Sequence, residues 1–217
     1  MHIPDAFIPI WQGGIYWIIA LVFIALALKW AKNEMNEEKL PLVAVLAAAI
    51  FALQSFNLPV SMGTSGHLVG GALAAIILGS PFAAVFILTL VLIVQAVLFG
   101  DGGITTLGAN IINMGVIGGF VGFYSFKGLK GVTKSMPIAA FVAAWLACVI
   151  PACACAVEMF LAGTFPLKEG LIAMGLYHAA IGVVEGIVTV AAIYLITTAR
   201  PDLVDKGVKT VTGAKAA

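Results

Sequence analysis

Residues 68–99 read LVGGALAAIILGSPFAAVFILTLVLIVQAVLF, an apolar run whose only break is Gly79-Ser80-Pro81. About 20 residues span a bilayer, so one helix over this whole run would be long for a single crossing. Gly and Pro so close together disfavour a continuous helix. The run therefore divides into helices at 66–79 and 82–99. Further apolar runs lie at 13–31, 41–57, 107–126, 136–160 and 172–198, and together they predict an all-α integral membrane protein with seven transmembrane helices.

The charges support the split. Ten of the eleven Lys and Arg fall in three groups: Lys29, Lys32 and Lys39; Lys127, Lys130 and Lys134; Arg200, Lys206, Lys209 and Lys215. Only Lys168 lies elsewhere. Seven helices bring all three groups to the cytoplasmic side, with the N-terminus outside and the C-terminus inside. Six helices would set the first group against the others.

Composition excludes most other classes. Of 217 residues, 62% are hydrophobic and only 10% are charged, with a mean hydropathy of +1.13. Soluble domains carry about 25% charged residues. The alternation of an outer-membrane barrel is absent, and a net charge of +1 gives no sign of nucleic-acid binding. Three cysteines are too few for a disulfide framework. The expected organisation is an extracellular N-terminal segment at 1–12, read below as metal-binding from its own residues, a bundle at 13–198 and a polar cytoplasmic tail at 199–217. With no soluble domain the chain is not expected to be an enzyme, and any ATP hydrolysis would belong to partner chains. No internal repeat of the secondary-transporter kind is visible. Glycines at 108, 115, 118, 119 and 122 mark the fifth helix as a closely packed interior one.

In so apolar a chain, each ionisable residue at membrane depth is a functional candidate: His2, Asp5, His67, Asp101, Glu158, His178 and Glu185. Gln54, Asn57, Gln95, Asn110 and Asn113 are their neutral company. The opening MHIPDAFIPIWQGG (residues 1–14) has no basic residue and no signal-peptide core. A second residue as large as His2 keeps Met1 in place, so the chain starts with a chelating dipeptide. The α-amine and the His2 amide nitrogen close a five-membered ring on a metal, and the amide nitrogen and Nδ1 close a six-membered one. Three coplanar nitrogens suit Ni(II) and Cu(II) better than tetrahedral Zn(II). His67, predicted on the same face, can fill the fourth position. Ile3, Phe7, Ile8, Ile10 and Trp11, stiffened by Pro4 and Pro9, suit a tail that folds back into the bundle. The plainer alternative is a histidine of no consequence at position 2 and a helix-capping His67.

His178 and Glu185 are seven apart on one face of the last helix, and this spacing is not HExxH. They read either as interhelical hydrogen-bonding residues or as a relay. Glu158 is expected to pair with a neighbouring helix. Asp101, between glycines in FGDGG, either attracts cations, orients an imidazole or serves only the loop. Cys148, Cys153 and Cys155 surround Pro151; residues two apart on a helix face different sides, and buried free cysteines are ordinary.

MHIPDAFIP, GTSGHLVGGALAAIILG, VQAVLFGDGGITTLGANIINMG and YHAAIGVVEGIVT together resemble the NikM/CbiM proteins, over most of residues 1–198. These are the substrate-binding (S) components of energy-coupling-factor transporters for nickel and cobalt, and their commonest first motif has Gly where this chain has Ala6. The resemblance implies a seven-helix S component of a prokaryotic cell membrane, with its N-terminus inserted into the bundle. The implied ligands of the transported Ni(II), or Co(II), are the Met1 amine, His2 through backbone and imidazole, and His67. It implies no cofactor. The implied partners are a transmembrane coupling (T) subunit, cytoplasmic ATPase subunits and a small accessory membrane protein, in membrane lipid. Asp101, Gln95 and Asn110 fall in the shared segments and are expected to support or gate the site, as are His178 and Glu185. The rival readings are a self-sufficient channel or secondary transporter and a membrane enzyme.

Overall fold

The computed structural model of the chain describes residues 1–60 and 64–203. Within them lie helices α1 (Ile10–Glu34), α2 (Leu40–Gln54), α3 (Gly71–Leu78), α4 (Pro81–Phe99), α5 (Leu107–Thr133), α6 (Met136–Leu161) and α7 (Leu167–Ala199). Two short strands, β1 (Leu58–Val60) and β2 (Thr64–Gly66), form an antiparallel hairpin with Val60 opposite Thr64. A final 3₁₀ turn covers Pro201–Leu203; the rest of the tail predicted at 199–217 lies outside the described residues.

The break at 79–81 divides α3 from α4 as the composition predicts. Gly79 takes a left-handed conformation (φ 72°) and ends α3. Ser80 Oγ accepts from the Phe82 N–H at 3.2 Å, and Pro81 occupies the first turn, where its missing N–H costs nothing.

The predicted third helix needs correction. Instead of 66–79 it covers only Gly71–Leu78, about 12 Å at 1.5 Å per residue. Residues 64–66 are strand, and 67–70 form a turn closed by Gly70 at φ 78°. Leu68 and Val69 raise local hydropathy, but Gly66, Gly70 and Gly71 around them favour a turn over a helix. Among the described residues five helices (α1, α4, α5, α6 and α7) are long and apolar enough to cross a membrane; α2, with 15 residues, is shorter. The chain is thus a multi-pass helical membrane protein with a small hairpin at β1 and β2.

Although short, α3 sits at the centre. Gly71 through Ile77 are all buried, and small residues let the neighbours approach. A Cβ added at Gly122 of α5 would come within 2.6 Å of Ala72, and one at Gly119 within 2.6 Å of Ala84. That is the interior packing predicted for the fifth helix. Large apolar side chains such as Ile18, Val22, Ile187 and Leu195 point outward from α1 and α7, as lipid contact requires.

Two helices widen into π turns, α4 at Gln95–Phe99 and α5 at Ile111–Ile117. These irregular stretches, frequent at functional sites, begin beside Gln95 and Asn110.

Residues 1–9 precede α1 and turn into the bundle, where Met1, Ile3 and Ile8 are buried. Ile10 and Trp11, predicted to bury with them, are exposed because α1 begins at Ile10 and turns them outward. Ala6 has φ 69°, a left-handed conformation that an L-residue with a Cβ adopts at a cost of roughly 1–2 kcal/mol. This explains glycine as the commoner residue there. Ala6→Gly is expected to stabilise the docked tail by about 1 kcal/mol, read as a higher Tm of the detergent-solubilised protein.

Candidate metal-binding site

The tail is held by its main chain. Asn110 treats Ile3 as a strand partner: its Oδ1 accepts from the Ile3 N–H at 2.8 Å and its Nδ2 donates to the Ile3 carbonyl at 3.1 Å. That carbonyl also accepts from Thr106 Oγ1 (2.6 Å) and the Gly103 N–H (3.0 Å). Asp5 receives the Thr105 N–H (2.8 Å), the Thr105 hydroxyl (2.5 Å) and the Ile104 N–H (3.2 Å). The Thr105 hydroxyl, foremost, holds the Asp5 carboxyl below the usual carboxylate range. The glycines of FGDGG make room for this. Gly102 sits at φ +91°, where a Cβ would lie 3.3 Å from the His2 ring, and a Cβ on Gly103 would run into Asp5.

So docked, the terminal amine lies in the interior. It donates to the Ser65 carbonyl and, at 3.2 Å, to Ser65 Oγ. Burial pushes its pKa down to about 5, so at neutral pH it is an uncharged amine with a lone pair. His2 and His67 are both buried and their rings stack, with centroids 4.4 Å apart and planes at 24°.

The partners of each ring bear on its tautomer. His2 has Gln95 Oε1 3.2 Å from Nε2 and Asp101 Oδ1 3.3 Å from Nδ1; only the first makes a hydrogen bond, and with the proton on Nε2 the lone pair is on Nδ1. His67 Nδ1 lies 2.8 Å from the Leu68 carbonyl, so its proton is on Nδ1 and its lone pair on Nε2. Those two nitrogens, His2 Nδ1 and His67 Nε2, have no hydrogen-bond partner among the described residues. Burial, above all, pushes His2 down to about 4 and His67 well below its ordinary value, so both rings stay neutral.

The remaining candidates surround this core. Asp101, partly exposed, has Oδ1 3.3 Å from His2 Nδ1 and accepts from Asn57 Nδ2 at 2.9 Å. Glu185 is buried and accepts from the Val69 and Gly70 N–H groups at 2.7 and 2.8 Å. His178 does not bond Glu185; its Nδ1 pairs with the Met174 carbonyl at 2.8 Å, and its Nε2 is unpartnered among the described residues. Glu158 accepts from Asn113 Nδ2 at 2.6 Å, the helix-to-helix pairing expected of it.

Sequence reasoning missed Ser65 and Thr106, and reads Cys155 as an ordinary buried cysteine. Nothing local marks Ser65 or Thr106, which act through tertiary placement. Cys155 Sγ lies 3.7 Å from the Met1 carbonyl, and Cys148, also buried, precedes it on the same helix. Their seven-residue spacing, two turns on one face, was the available signal. Among the described residues no three His, Cys, Asp or Glu side chains gather as metal ligands. The nitrogen donors available are two imidazoles and the main chain.

The chain is similar to proteins named for metal transport. A family model described as the cobalt uptake substrate-specific transmembrane region, CbiM, matches residues 2–203. A protein of Haloquadratum walsbyi named for metal transport is 39% identical over 94% of this chain and 93% of its own length. A protein of Archaeoglobus fulgidus named as a fused nickel transport protein, NikMN, is 38% identical over 95% of this chain and 68% of its own length. The cobalt transport protein CbiM of Acetohalobium arabaticum is 37% identical over 88% of this chain and 79% of its own. The crystal structure of a transition metal transporter superposes with a TM-score of 0.85 at 30% identity, covering 91% of this chain and 93% of that one.

The docking geometry yields a prediction. Gly103→Ala places a methyl group where Asp5 sits, so the tail is expected to leave the bundle. The check is hydrogen exchange at the Ile3 amide, which should accelerate by at least about 100-fold while amides of α4 and α6 are unchanged, because a local opening touches only its own unit.

Proposed function

We propose that this chain, which belongs to the CbiM family of cobalt-uptake substrate-specific transmembrane proteins, captures Ni(II) for an ATP-driven energy-coupling-factor importer. At the coarser level it is a transmembrane component of nickel and cobalt uptake, and its relatives are transport proteins rather than enzymes. The finer reading adds seven membrane crossings, an N-terminus outside and a C-terminus in the cytoplasm. It adds partners as well: a coupling (T) subunit, cytoplasmic ATPases and a small accessory membrane protein.

One observation carries the site. The two nitrogens that a planar chelate needs from His2 and His67 are the ones whose lone pairs lie buried without a partner among the described residues. In this reading Gln95 accepts from His2 Nε2 and the Leu68 carbonyl from His67 Nδ1, which leaves each ring the lone pair that a metal requires. With the uncharged Met1 amine and the deprotonated His2 amide, they make four nitrogens. Gln95 and Asn110 support this set, one through the ring and one through the Ile3 backbone; Asp101 sits at its partly open edge, and His178 and Glu185 lie behind it.

Four planar nitrogens favour Ni(II) through its d-electron count. Co(II) is the second reading, since relatives bear cobalt names as well as nickel names. The transported ion is substrate and not a resident cofactor.

Acetylating the Met1 α-amine tests the chelate. Every side chain stays in place, but the α-nitrogen becomes an amide and loses the lone pair that closes the five-membered ring. Ni(II) affinity should fall by on the order of 100- to 10,000-fold, the range that intramolecular linkage contributes; undiminished affinity in calorimetry would sink the proposal. The pH dependence follows with its sign. With the amine at about 5 and His2 at about 4, above pH 6 only the amide proton has to be displaced, so affinity should rise about tenfold per pH unit. Below pH 5 the amine and imidazole also hold protons, and the loss should steepen to two or three protons per metal, measurable by competition titrations.

A further inference from the structure

Glu185, expected to support or gate the site, has its carboxylate buried in the bundle, where an unpaired charge is costly. Its two oxygens are used on one short stretch: Oε2 takes the Val69 N–H at 2.7 Å and Oε1 takes the Gly70 N–H at 2.8 Å. Val69 is held from its other side too, because Gln54 of α2 donates Nε2 to its carbonyl at 2.7 Å. The turn 67–70 is therefore clamped by α2 and α7.

That turn carries His67. Its Nδ1 is tied to the Leu68 carbonyl, so the ring's direction is set by the peptide planes that follow it. The turn itself is weak by composition, with Gly66, Gly70 and Gly71 around two apolar residues and Gly70 in a left-handed conformation. A short glycine-rich turn holds a single geometry only where outside groups impose it.

We infer that Glu185 is the positioning residue for His67: through the Val69 and Gly70 amides it fixes the turn whose backbone aims the Nε2 lone pair at the chelate. This inference rests on the chelate reading above and assigns the charge on α7 a role in it. Glu185 does not touch the metal.

Glu185→Gln keeps the shape but turns one acceptor into an NH₂ group facing a peptide N–H. In purified full-length protein, Ni²⁺ affinity is expected to fall at least tenfold, and exchange at the Val69 and Gly70 amides to accelerate. Glu185→Gln added to His67→Ala should then cost nothing further, because it acts only through that ligand. Affinity within twofold of wild type overturns the inference, and so does full additivity of the two substitutions. Glu185→Asp keeps the charge but withdraws it by one methylene, and an intermediate loss is expected; if the Gln variant fails to fold, the Asp variant is judged by the same two criteria. Failure of the chelate reading itself looks different: His67→Ala alone then leaves Ni²⁺ affinity unchanged.

Discussion

A non-helical peptide inside a membrane bundle must find a partner for each buried N–H and C=O, since no water is there to supply one. The first residues of this chain meet that demand with side chains. Asn110 satisfies both main-chain groups of Ile3, Thr106 and Gly103 share its carbonyl, and Cys155 approaches the Met1 carbonyl. Much else follows from this one requirement. The glycines at 102 and 103 are there to let the tail approach, the π turns of α4 and α5 begin where the amides that read it sit, and Asp5 closes the far end over Thr105.

The same economy governs the imidazoles. A buried neutral histidine has one donor and one acceptor nitrogen, and a site that satisfied both would have nothing left for a ligand. Here each ring near the amine is given one partner, Gln95 for His2 and the Leu68 carbonyl for His67. In the proposed reading the second nitrogen of each ring is left for an incoming ion. The two rings stack with centroids 4.4 Å apart.

Much of this was legible in the sequence, for identifiable reasons. The Gly79-Ser80-Pro81 break, the helical runs and the packed fifth helix each rest on local chemistry that survives in the structure. The proposed chelate draws on the chemistry of Met1 and His2, which the sequence displays directly. What failed was the third helix: hydropathy averaged over Leu68 and Val69 hid the glycines that make a turn there, and β2 replaced its first residues. The partners of the tail were illegible in another way. Asn110 and Thr106 lie about a hundred residues away from Ile3, and no spacing rule joins residues that only the fold brings together. Cys155 was set aside as ordinary packing because a CxC pair diverges on a helix; the informative spacing was to Cys148, two turns earlier.

The length of α7 has a mechanical consequence. Its 33 residues extend about 50 Å at 1.5 Å per residue, well beyond the hydrocarbon thickness of about 30 Å, so part of it projects or the whole rod leans. Glu185 lies about 27 Å along that rod from Leu167. Pivoting the helix by only about 5° around that end sweeps the carboxylate through roughly 2 Å, a simple lever-arm product with the same rise per residue. Hydrogen bonds of 2.7 and 2.8 Å do not survive a displacement of that size. A slight lean is thus large at the grip on Val69 and Gly70, which makes the Glu185 contacts the part of the turn most exposed to a change of angle.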